Sequence, residues 1–248
     1  MAASEILAEI QQVPTYNGPN AGLAKPRMSQ YRELVVQVTD QRTSVQSGQL
    51  WIATNPTPGT GIASHAAPTA TDGTKLLFSI NNAYALGTDK HIYMRSLSLA
   101  VTVAGAAATE SRYEWFKSAA GTSRFSSGGS TNLSSSAIVV NNPGTAPAAT
   151  SAVVRFGAVV SVADAAAKLI DNGLIRNIIP KVGDKVLFRF GSAPSLSGSS
   201  LEVTTAAIMN VDVPFVDLAP GETLVLSLVN ASQSGASSYE FKAVFDER

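Results

Sequence analysis

Residues 218–248 read LAPGETLVLSLVNASQSGASSYEFKAVFDER, and the fold class is decided by their period. Pro220-Gly221-Glu222 is a turn signal. Beyond it, Leu224, Leu226 and Leu228 fall on one face of an extended chain and Thr223, Val225 and Ser227 on the other. In a second arm, Tyr239, Phe241, Ala243 and Phe245 alternate with Glu240, Lys242 and Asp246. The pattern predicts a β-hairpin with one face in the core and the other in water.

The same wording occurs upstream. Ser96-Leu97-Ser98-Leu99 leads through small residues into Ser111-Arg112-Tyr113-Glu114-Trp115, much as Thr223-Leu224-Val225-Leu226 leads into Ser237-Ser238-Tyr239-Glu240-Phe241. Leu34, Val36 and Val38 open a further strand. Others are expected near 48–54, 75–81, 91–104, 111–117, 136–140, 151–162, 184–191, 200–212, 222–230 and 238–246. Turns punctuate them at Asn55-Pro56, Pro58-Gly59, Asp72-Gly73, Asn142-Pro143-Gly144 and Pro220-Gly221. The set implies an all-β chain, an antiparallel β-sandwich of jelly-roll type. One short helix is expected between strands, capped by Ser161 and Asp164, apolar through Ala165, Ala166, Leu169 and Ile170, and ended by Asn172-Gly173. Two long polar loops, 54–74 and 118–135, are of a length that usually binds something or moves.

Ahead of this body, residues 1–30 read as an extended N-terminal arm. A short amphipathic stretch at 4–12 precedes a Pro/Gly/Asn-rich segment containing Pro14, Gly18, Pro19 and Gly22. Ile6, Leu7, Ile10, Val13 and Tyr16 are the apolar side chains the arm offers to a neighbouring subunit. The sandwich body is expected over 31–248, with a possible subdivision at the linker-like stretch 141–150.

Composition narrows the function. Only 15% of the 248 residues are charged, against roughly 25% in typical globular chains, and 18 basic residues balance 18 acidic ones. A free monomer usually carries net charge for colloidal stability, so this surface suits one occupied by copies of itself or by a partner. The neutral balance and the lack of a basic run argue against direct nucleic-acid binding. No stretch approaches the roughly 20 apolar residues of a membrane span. With no cysteine, disulfides and thiolate metal sites are excluded.

Candidate chemistry is sparse. His65 lies in a Pro/Ala/Thr loop, and His91 opens a strand whose interior set is expected to include Tyr93 and Leu97; both histidines are read as structural. No nucleophile elbow, zinc helix, Walker loop or EF-hand loop is present, and no cofactor or metal is expected. Glu114 and Glu240 occupy matching places in the two echoed segments, and a glycosidase needs only two carboxylates some 5–10 Å apart. Nearby Lys117 and Lys242 make solvated faces with cross-strand ion pairs the simpler account, and the chain is expected not to be an enzyme. Trp51, Tyr113 and Trp115 are the candidate sugar platform, weighed against the commoner fate of strand aromatics, burial.

A Pro/Gly-rich arm, a cysteine-free Ala/Ser/Thr-rich β body and a closing Pro-Gly-Glu-Thr-Leu segment together resemble structural proteins of tailed-bacteriophage virions, in particular jelly-roll capsid cement or decoration proteins. That resemblance implies a homodimer or homotrimer that binds a major capsid protein, bridges capsomers and stabilises the phage head, in a virion assembled in the host cytoplasm. Two alternatives share the setting: a jelly-roll major or minor capsid protein that forms the shell, and a receptor-binding fibre head whose loops and Trp51 contact cell-surface glycans. A carbohydrate-active enzyme or secreted binding module lies outside it. A glycan binder should present exposed aromatics at one loop end.

Overall fold

Strands form where the apolar alternation is strongest. The computed structural model describes residues 49–67, 70, 74–105, 111–119, 131–132, 138–140, 150–160, 167–176, 182–191, 208–230 and 235–248. In chain order the strands are β1 (Leu50–Thr54), β2 (Ile62–Ala63), β3 (Lys75–Asn82), β4 (Ile92–Val103), β5 (Ser111–Ser118), β6 (Thr131–Asn132) and β7 (Ile138–Val140). They continue with β8 (Ala152–Val160), β9 (Lys168–Arg176), β10 (Lys185–Phe190), β11 (Ile208–Val213), β12 (Asp217–Leu218), β13 (Thr223–Asn230) and β14 (Ser238–Glu247). The arm, with Ile6, Leu7, Ile10, Val13 and Tyr16, and the strand expected at Leu34–Val38 lie outside the described residues, as do residues 141–149.

Two sheets result. One runs β11-β10-β4-β14-β1-β7, with β12 beside β4 and β2 beside β14; the other runs β6-β8-β3-β13-β5-β9. Pairing is antiparallel except between β10 and β11, which run parallel. Strands from before and after residues 141–149 alternate within both sheets.

The expected C-terminal hairpin is overturned. Pro220-Gly221 does form the turn that launches β13: the Glu222 amide donates to Ala219 O at 3.0 Å, and Gly221 has φ 83°, as the third position of a type II turn requires. But β13 pairs with β3 and β5, whereas β14 pairs with β1 and β4, in the other sheet. The echoed pair β4 and β5 is divided the same way. The reason is that an apolar strand face needs a layer opposite it. A hairpin sets its two arms side by side, with both apolar faces pointing the same way. Arching the chain over sets the arms face to face, each covering the other, and the Ser/Gly/Ala-rich connection after Asn230 is long enough to span the roughly 10 Å between packed sheets.

Aromatic rings fill the space between the layers. From the first sheet Phe241 stacks on Phe156 of the second, with centroids 4.1 Å apart and planes 11° from parallel. Trp115 of the second sheet meets Phe188 and Phe190 of the first edge-on at 5.3 and 5.1 Å. Leu224 and Leu226 are fully buried here, as are Ala243 and Phe245. The wet face expected for β13 is corrected: Thr223, Val225 and Ser227 are buried too. That strand is central in its sheet, and Val225 packs with Leu76, Val159 and Phe116 in a second, smaller apolar cluster.

The expected helix is also overturned where it is described. Residues 168–176 form β9, paired with β5 at the end of the second sheet, while 161–166 lie outside the described residues. Asn172-Gly173 is therefore no helix terminus. Gly173 sits opposite Tyr113, and a Cβ there would come within 2.8 Å of the Tyr113 hydroxyl oxygen, so the missing side chain makes room for the ring. Ile170 and Ile175 pack against the core, which a β-branched side chain on a pleated surface does well.

Two outcomes check this packing. Phe241→Ala is expected to lower unfolding free energy by about 3–5 kcal/mol in urea titrations, and a loss below about 1 kcal/mol would place the ring outside the core. Gly173→Ala is expected to cost about 1–3 kcal/mol, because overpacking displaces Tyr113; were the segment helical, the same change would stabilise it.

Candidate interaction surface

The β4–β14 ladder slips by one residue near its end. Val244 faces Ser96 but Phe245 faces Met94, leaving Arg95 as the extra residue of a β-bulge. The slip reverses the sidedness of β4. Leu97 is in the core as expected, yet Ile92 and Met94 are also fully buried, and Tyr93, expected inside, is half-buried and turned to the outer face. Residues four apart in an unbroken strand share a face; the bulge between them is why these two do not.

Arg95 is thereby aimed at Asp246. Its Nε–H donates to Asp246 Oδ2 at 2.7 Å, Nη2 makes a second bond to the same oxygen, and Arg248 Nη2 reaches it at 3.3 Å. Asp246 is fully buried, a position a carboxylate holds only when paired. Backbone bonds tie the chain's last residue to the start of β4: the His91 amide donates to Arg248 O at 2.7 Å and the Arg248 amide to His91 O at 3.0 Å.

Around Tyr93 the side chains form a corner. His91 stacks on it at 6.1 Å with planes 19° apart, Phe215 lies against it at 5.7 Å, and the Arg248 guanidinium sits 5.8 Å from its ring centre. His91 Nδ1 is 2.6 Å from Asp217 Oδ1, and since a carboxylate only accepts, Nδ1–H is the donor. Burial raises the Tyr93 hydroxyl above its ordinary pKa, and the carboxylates of Asp217 and Asp89 add to this while Arg248 opposes it. The hydroxyl therefore stays protonated near neutrality.

Phe215 is 59% exposed but firmly held. Val213 and Val216 on either side are buried, and Pro214 fixes the backbone between them. Gly191, with φ +73°, donates its amide to Val213 O at 3.0 Å, and a Cβ on it would meet the Phe215 ring at 3.1 Å. The ring thus rests on a bare backbone.

The residues singled out from sequence are distributed differently. Trp51, Tyr113 and Trp115 are core, so they form no sugar platform. Glu114 lies between core residues Tyr113 and Trp115 of the second sheet, and Glu240 between core residues Tyr239 and Phe241 of the first. The two carboxylates leave opposite outer faces, with a core about 10 Å thick between the sheets, and share no cleft. Lys117 is ion-paired with Glu222 at 2.7 Å and also donates to Asp217 O at 2.7 Å, while Glu240 accepts the Gly59 amide. His65 Nε2 lies 3.2 Å from Val159 O, which anchors the 62–67 loop against β8. Among the described residues, no group of three or more His, Asp or Glu side chains is placed to hold a metal ion.

Phe215, Asp217 and Arg248 were not singled out by sequence reasoning. The available signal was Val213-Pro214-Phe215-Val216, where a proline interrupts the alternation beside an aromatic. Gly191→Ala is expected to cost about 1–2 kcal/mol for its left-handed backbone. Phe215→Ala, which removes a mostly exposed ring, is expected to cost under about 1 kcal/mol in the same denaturation assay. No family model matches the chain, and no curated protein or solved structure shows significant similarity to it.

Proposed function

We propose that this chain is a structural protein of a virus particle, built on a jelly roll and acting through association with itself and with a major capsid protein. The observation that carries the proposal is the pairing of the strands. Number β1, β3, β4, β5, β9, β10, β13 and β14 from first to eighth. Then first pairs with eighth, second with seventh, third with sixth and fourth with fifth. An antiparallel ribbon folded once at its middle has those four ladders. Wrapping the ribbon into two layers adds eighth beside third and seventh beside fourth, and β14–β4 and β13–β5 are the two other ladders among these eight strands. These pairings support the double Greek-key reading of a jelly roll. On this reading β6, β7 and β8 enter between the fourth and fifth strands and widen both sheets.

Jelly rolls serve viral capsids, lectins and cupins, so the fold alone does not choose. The surface supports the first. With 15% charged residues and formal net charge zero, it has few ions to desolvate on contact with other subunits. Within the virion the cement role fits a subunit that bridges capsomers and contributes buried area where a shell is weak. Building the shell itself is the second reading, and the strand pairing favours it equally, since shell subunits use the same roll.

Light scattering on the full chain over a concentration series tests this. A dimer, trimer or larger closed assembly is expected. A monomer at every concentration up to about 1 mM, beyond which association counts as weak, would overturn self-association.

A further inference from the structure

We propose that the corner formed by Tyr93, Phe215 and Asp217 is a carbohydrate-binding site, where a pyranose ring stacks on Phe215 and its hydroxyls bond to Asp217 and His91. The proposal stands apart from the particle role and does not depend on it.

The first argument is preorganisation. A solvent-exposed phenylalanine ordinarily loses rotamer freedom when it binds, which weakens the contact. Phe215 has little left to lose: buried neighbours pin the backbone on both sides, Gly191 supports one part of the ring and Tyr93 another. What remains outward is a fixed apolar surface of the kind that the C–H face of a sugar covers.

The second argument is the polar rim. Asp217 spends Oδ1 on His91, its side chain is 41% exposed, and a carboxylate has further lone pairs for vicinal hydroxyls. His91, bonded to Asp217, stacks on the Tyr93 ring against which Phe215 lies, so these acceptors border the apolar patch. Acceptors bordering an apolar surface match a ligand whose edge is hydroxyl and whose face is C–H.

The third argument is size and charge. A fully buried aromatic accounts for about 150–250 Å², so two partly exposed rings offer on the order of 200 Å². Each partner in a standard protein interface gives about 800 Å². The patch has the footprint of a sugar, not of a second subunit. A cationic peptide is disfavoured because Arg248 already occupies the space over Tyr93.

The experiment is isothermal titration of the full chain with a panel of neutral methyl pyranosides, including glucoside, galactoside, mannoside and N-acetylglucosaminide. Saturable binding of at least one is expected, with a dissociation constant of about 1 mM or tighter. Phe215→Ala and Asp217→Asn should each weaken it about tenfold or more while circular dichroism and the thermal midpoint show an intact fold. Absence of saturable binding across the panel, or binding untouched by Phe215→Ala, would overturn the proposal. So would a change in solution mass caused by Phe215→Ala, which would make the ring a protein contact; loss of sugar binding with unchanged mass leaves the particle role intact.

Discussion

Everything in this structure depends on apolar faces meeting across two layers, not along one. Phe241 of one sheet lies flat on Phe156 of the other, and Trp115 is edge-on to both Phe188 and Phe190. To make such contacts the chain crosses from one sheet to the other between β3 and β4, between β4 and β5, and between β13 and β14. Among the described strands, no antiparallel ladder joins two that are adjacent in sequence. The central strands β13 and β14 are thus each held by partners far away in the chain. Such pairing meets a large loop-closure cost before any contact rewards it, and folding is correspondingly slow and cooperative.

That cooperativity decides how local irregularities are tolerated. A bulge in a two-stranded ribbon would simply let the ribbon twist. In β4 it lies between the ladder to β10, which ends at Ser96, and the ladder to β12 at Tyr93 and Ile92, so the slip is converted into a change of side for the residues beyond it. Ile92 and Met94 enter the core, Tyr93 leaves it, and Arg95 is delivered to a buried carboxylate. One extra residue therefore supplies both the aromatic surface of the corner and the ion pair beneath it.

Most strands were legible in sequence, because alternation of Leu, Val and Phe with polar residues depends only on which atoms face water. Strand limits near 75–81, 111–117 and 222–230 lie within a residue or two of β3, β5 and β13. Which strand pairs with which was not legible, since alternation is the same whether the neighbour is beside or opposite. The helix expectation fails over 168–173 for a different reason: Ala-rich sequence and Asn172-Gly173 satisfy local helix rules, but the open edge of β5 and the space needed by Tyr113 reward an extended chain there. The corner was illegible because it needs the bulge. Strict alternation from Leu97 places Tyr93 inside, and only the register of the folded ladder moves it out.

The corner also depends on β14 being docked. Tyr93 is the second residue of β4, Phe215 precedes β12 and Asp217 opens it, and Arg248 follows β14. These meet because β14 inserts between β1 and β4, carrying Asp246 and Arg248 to the start of β4, where His91 and Arg248 exchange backbone bonds. A chain lacking a docked β14 would have neither the guanidinium over Tyr93 nor the carboxylate that fixes Arg95. It would also lose Phe241 and Phe245 from the core. Surface chemistry and core packing at this end are therefore not separable properties: the strand that carries Phe241 and Phe245 into the core also brings Arg248 over Tyr93 and Asp246 to Arg95.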